Sequence, residues 1–107
     1  MKRGEVRWTN LPAPISRRPA VVLSRNSTLG VLNTVTVAPV TTQLRELRSR
    51  VYLDEDDGLP KPCNATLHDI VTVRKEALQE LITVLSQERI EEIEAAISYA
   101  LGFGEIV

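Results

Sequence analysis

Cysteine and histidine each occur once in the 107 residues, and the aromatic side chains are limited to one Trp, two Tyr and one Phe. A lone Cys63 excludes an internal disulfide, and one cysteine with one histidine cannot build a standard zinc site. No apolar run approaches the roughly 18 residues of a membrane-spanning helix, and the start "MKRGEVRW" lacks the hydrophobic core of a secretion signal. The expectation is a cytoplasmic protein with no membrane association, no metal and no other cofactor. There is no glycine-rich phosphate loop, no HExxH and no serine–histidine–aspartate order to propose. Few aromatics also leave little with which to line a peptide-binding groove.

What is present is charge, unevenly spread. The formal net charge is only −1. Residues 1–53, however, hold nine Lys and Arg against Glu5 and Glu46, a balance of +7, whereas 54–107 hold four against twelve acids, a balance of −8. Such asymmetry points to one face for a polyanion and an acidic region elsewhere. The acidic turn "DEDDG" (54–58) resembles a calcium loop only superficially. Setting Gly58 at the glycine position puts Leu53 at the first ligand position.

The length fits one domain over 1–107. Strand signals fill the first part: "GEVRWTN" (4–10), "RPAVVLS" (18–24), "VLNTVTVAPVTT" (31–42) and "RSRVYLD" (48–54), with proline-rich "LPAPIS" and turn-forming "NSTLG" between them. Pro39 lacks an N–H, so its strand is expected to bulge or lie at an edge there. "ATLHDIVTV" (65–73) reads as a fifth strand, "KEALQEL" (75–81) as a helical turn and "LITVL" (81–85) as a last strand. From Ser86, a good N-cap, Ile90, Ile93, Ile97 and Leu101 make one apolar helical stripe, ended by Gly102. The fold class is mainly β with a C-terminal α-helix.

"VAPVTTQLRELRSRVYL" (37–53) is the stretch with chemical content. An apolar strand ends on Thr41, Thr42 and Gln43 and leads into a loop with Arg45, Arg48 and Arg50. Arg18 stands at the mouth of another apolar strand. Hydroxyls and guanidinium groups at strand ends suit phosphate handling, and the cationic loop suits guidance of a nucleic-acid strand.

"GEVRW", "RRPAVVLSRN" (17–26) and "VAPVTTQ" (37–43), followed by "ATLHDIVTV" and "LSQERIEEIEAAISYALGFG", resemble in order the MazF/PemK-type messenger-RNA interferases, toxins of bacterial toxin–antitoxin pairs. The resemblance covers nearly the whole chain. It implies an SH3-like β-barrel of the CcdB/PemK kind, a homodimer and a cognate MazE-like antitoxin. It also implies metal-independent, sequence-specific cleavage of single-stranded RNA through a 2′,3′-cyclic phosphate. The family's essential arginine before proline falls on Arg18, and its essential threonine falls on Thr41. Thr42, Gln43, Arg45, Arg48, Arg50 and Arg25 are then candidates for RNA binding. His68 is a possible proton carrier, histidine being the side chain suited to proton transfer near neutrality. Two departures stand out: a short first loop, and His68-Asp69-Ile70-Val71-Thr72 where many relatives read acid-Gln-apolar-Arg-Thr. Two rivals remain. One is a gyrase-poisoning toxin of the CcdB type, whose activity resembles a function of a Trp-Gly-Ile ending; this chain ends "EIV". The other is a non-catalytic SH3-like binding module.

Overall fold

The computed structural model describes residues 1–104; the "EIV" ending lies outside the described residues. Seven strands and two helices follow in the order β1 (Glu5–Asn10), β2 (Arg17–Val22), α1 (Asn26–Leu29), β3 (Thr34–Thr41), β4 (Arg50–Leu53), β5 (Cys63–Thr66), β6 (Val71–Arg74), β7 (Leu78–Val84) and α2 (Gln87–Leu101). The strands form one antiparallel sheet ordered β4-β5-β3-β2-β1-β7, with β6 also paired to β3. Among the described residues β4 and β7 do not pair. The sheet is therefore open, and a closed barrel overstates what is otherwise the expected fold class.

Period-two alternation in β1 to β3 supplies two apolar layers. Val6, Val21, Leu23, Ala38 and Val40 meet Val51, Leu53, Ala65 and Leu67 on one face, closed by Ile93 and Ala96 of α2. Ala20, Val22, Val35 and Val37 meet Leu11, Leu29 and Val73 on the other.

β3 is central, yet it contains Pro39. The strand pairs β2 along one side, with Ala20 opposite Pro39. On its other side it pairs β6 up to Val37 and β5 from Val40. Pro39 thus falls at the handover between two partners, where a missing N–H breaks no ladder, and its carbonyl accepts from Thr66 Oγ1 at 2.9 Å. The same handover corrects the single strand expected over 65–73. It is split into β5 and β6 by a 3₁₀ turn, Leu67–Asp69, that shifts the chain from one half of β3 to the other. The helical turn expected over 75–81 is likewise only Lys75–Ala77, and β7 starts at Leu78.

Helix α2 begins as its sequence requires. Ser86 Oγ accepts from Arg89 N, a cap worth about 1 kcal/mol. Gly102, in the left-handed region at φ 72°, ends it. Ile93 is buried and Ile90 and Ile97 pack against the core, but Leu101 is half exposed, so the apolar stripe stops one turn early. Truncating Ile93 to alanine would cost about 2–5 kcal/mol. Arg89 braces the helix against the acidic turn, with Nε 2.9 Å from Asp57 Oδ1 and Nη1 2.8 Å from Glu92 Oε2. Those bonds, to Asp57 first and Glu92 second, push its pKa above the usual arginine range.

Candidate functional site

Strand register assembles the site. Thr9 of β1 lies opposite Arg18 of β2, while Thr41 of β3 lies opposite Asn64 of β5, which in turn lies opposite Tyr52 of β4. The β2–β3 ladder reaches Ala20 with Pro39, and two more steps in that register bring Arg18 beside Thr41. Directly opposed residues share a face, with strands about 4.8 Å apart. Thr9, Arg18, Thr41, Asn64 and Tyr52 therefore form one row across five strands, at the end of the sheet where the basic loop departs.

Side-chain bonds tie this row to the loop. Thr41 Oγ1 accepts from Gln43 N at 3.2 Å. Gln43 O accepts from Arg50 Nη1 at 2.8 Å. Asn64 Oδ1 accepts from Arg45 N at 2.9 Å and from Arg50 Nη1 at 3.3 Å. Arg18 donates from Nη2 to Ile15 O at 3.3 Å. The Nε atoms of Arg18 and Arg50 are both buried without a hydrogen-bond partner. A buried charged donor left unpaired is costly, and an anion placed between two of them relieves both.

Charge pairing separates the arginines further. Arg3, Arg7, Arg17 and Arg89 are held by Glu94, Glu5, Glu80 and Asp57. Among the described residues no ion pair involves Arg18, Arg45, Arg48 or Arg50. Positive charge is thus neutralised around most of the molecule and left available at this end. A concavity of about 630 Å³ lies there, bounded by Leu44, Arg45, Leu47, Arg50, Tyr52 and Asn64.

The remaining candidates are dispersed. Thr42 lies around the corner, lining a smaller apolar cleft with Trp8, Pro19 and Lys61. Arg48 turns toward α2, its guanidinium 4.2 Å from the Tyr99 ring centroid. Arg25 follows the far end of β2 and precedes α1, remote along the strand from Arg18. His68 sits on the 3₁₀ turn between β5 and β6. Its Nδ1 is 2.8 Å from Ser49 Oγ and its Nε2 is 3.4 Å from Asp69 Oδ2, so neither nitrogen bonds to Arg18 or Thr41. It lines a second concavity with Arg48, Tyr99 and Phe103. Cys63 is buried, and desolvation aided by Asp57, Asp54 and Glu55 pushes its thiol up to about 11. Among the described residues no three His, Cys, Asp or Glu side chains converge as a metal would require. Sequence reasoning passes over Asn64 and Tyr52; the only available signal is a polar residue within an otherwise apolar strand.

Comparison with known proteins agrees with this geometry. The family model for the PemK-like, MazF-like toxin of type II toxin-antitoxin system matches residues 2–101. The probable endoribonuclease MazF5 of Mycobacterium tuberculosis is 36% identical over 100 residues, covering 92% of this chain and 91% of that protein. The toxin MazF-mt6 of the same organism superposes with a TM-score of 0.84 at 28% identity, over 92% of this chain and 96% of its own. A mycobacterial endoribonuclease solved in complex with its cognate antitoxin shares the fold, with a TM-score of 0.86 at 22% identity over 96% of both chains. The chain belongs to the PemK-like, MazF-like toxins of type II toxin-antitoxin systems.

Proposed function

We propose that this chain, acting as one toxin domain, is an endoribonuclease that cuts single-stranded messenger RNA at a short sequence without a metal ion. The observation that carries the reading is the alignment of Arg18 with Thr41 at a sheet end whose guanidinium groups have no acidic partner. In the reaction the ribose 2′-OH attacks the adjacent phosphorus and the bond to the 5′ oxygen breaks. The products are a 2′,3′-cyclic phosphate and a 5′-OH. Arg18 neutralises the charge that builds on the non-bridging oxygens, and the Thr41 hydroxyl hydrogen-bonds the same phosphate. The nucleophile belongs to the substrate, so no metal-bound water is needed. Exposed Tyr52, with half-exposed Leu44 and Leu47, offers apolar faces to unstacked bases.

The toxin would work in the cytoplasm as a homodimer. A MazE-like antitoxin, ordering an acidic tail along the basic groove, would silence it. Among the described residues no helix is long and apolar enough to cross a membrane. Gyrase poisoning of the CcdB type is not favoured, since the family match is to the MazF-like toxins.

Purified protein should cut single-stranded RNA in excess EDTA, leave cyclic-phosphate ends and spare duplex RNA. Arg18→Ala should lose about 10²–10³ in rate, the usual cost of removing one donor to developing charge. Cleavage abolished by EDTA, or an Arg18→Ala protein of full activity, would overturn the assignment.

A further inference from the structure

Asn64 is a neutral amide, 3% exposed, on a strand whose neighbours Cys63 and Ala65 belong to the apolar core. Burying an amide is unfavourable unless its polar atoms are paired, and each of these has a defined partner. Its Nδ2 donates to Cys63 O at 3.1 Å. Its Oδ1 holds both ends of the basic loop, through Arg45 N at the start and Arg50 Nη1 at the finish. Arg50 in turn reaches Gln43 O, and Gln43 N reaches Thr41 Oγ1. One buried amide therefore fixes where Arg50 stands relative to Thr41. Arg50 commits Nη1 to these acceptors and keeps a buried Nε with none, as Arg18 does on the other side of Thr41.

We propose that Asn64 is a positioning residue that acts through Arg50. It holds this guanidinium on the β5 side of Thr41, so that a phosphodiester is met from both sides, by Arg18 and by Arg50. Arg50 is then a catalytic residue, distinct from Arg45 and Arg48, which only guide the strand. The inference rests on the RNA-cleaving reading above and is separable from it.

The test compares Asn64→Leu, Arg50→Ala, the double variant and Arg18→Ala, all in the full chain. Asn64→Leu should lower kcat by about tenfold or more with KM changed less than twofold, the pattern of an interaction made mainly in the transition state. In the Arg50→Ala background the same substitution should change nothing further, because its effect runs through Arg50. Additive losses, or an Arg50→Ala protein with wild-type kcat, would overturn the proposal. A fully active Arg18→Ala protein would instead overturn the underlying reading. Should Asn64→Leu fail to fold, Asn64→Thr serves the same comparison, being a good strand former whose hydroxyl is too short to bridge to Arg50. Binding of mixed-sequence single-stranded DNA, which lacks the 2′-OH nucleophile, gives a readout independent of cleavage. Asn64→Leu, Arg50→Ala and the double variant should each reduce the slope of log K against log salt by the same roughly 0.7, the value for one phosphate. Wild-type slopes in the single variants would overturn it.

Discussion

At the scale of single residues, the chain's only histidine and only cysteine are both placed away from the proposed chemistry. His68 is engaged by Ser49 and Asp69 beside the helix rather than by Thr41. His68→Gln, which keeps hydrogen-bonding capacity, should leave the pH–rate profile unchanged and lower the melting temperature; an abolished inflection with unchanged melting would assign it the proton. Cys63 makes a different prediction. Its thiol is pushed up to about 11 from an ordinary value of 9.0 by burial first and by neighbouring acids second. Above pH 9 the unfolded chain releases this proton more readily than the folded one. Its contribution is therefore whole below about pH 9 and fades as pH rises toward 11. Cys63→Ser should flatten the alkaline limb of a stability–pH curve measured by urea unfolding. At neutral pH the native thiol should resist alkylation, since thiolate is the reactive form.

At the scale of elements, the loop from Thr42 to Ser49 departs from one strand of the row and returns to another. If Arg45 and Arg48 follow the RNA backbone, neutralising both should lower the salt slope of RNA binding by about 0.7 for each phosphate no longer engaged, while the cut site stays the same. An unchanged slope would show that these side chains are merely solvated. The cleavage pair of this site is legible in sequence, since Arg18 and Thr41 stand at the ends of recognisable apolar strands. Asn64 is not, because its partners are Arg45 and Arg50 and only strand register reveals that they meet. Arg48 reads as a third loop cation, and its stacking on Tyr99 depends on a helix that arrives much later in the chain. The split of 65–73 is hidden for a similar reason. β-branched residues read as strand throughout, and only the change of partner along β3 imposes the 3₁₀ turn.

At the scale of the whole molecule, a near-zero net charge conceals a division of labour. Acids on α2 and in the 54–57 turn take Arg3 and Arg89, and Glu5 and Glu80 take Arg7 and Arg17, while the sheet end with Arg18 and Arg50 is left cationic. The exposed Tyr99 and Phe103 near the end of α2 add an apolar patch suited to a second copy of the chain. Sedimentation should give a dimer, and Phe103→Glu should shift it toward monomer without altering the far-ultraviolet spectrum; a wild-type monomer at micromolar concentration would contradict this.

The pairing of β1 with β7 has a consequence for the order of synthesis. Arg18 hangs from β2, which is flanked by β1, and the second neighbour of β1 is Leu78–Val84, close to the end of translation. Asn64 and its hold on the loop also come in the second half. A chain still emerging from the ribosome therefore has its arginine and its threonine long before it has the strands that set them in place. Such a protein is harmless to the message that encodes it while that message is being read.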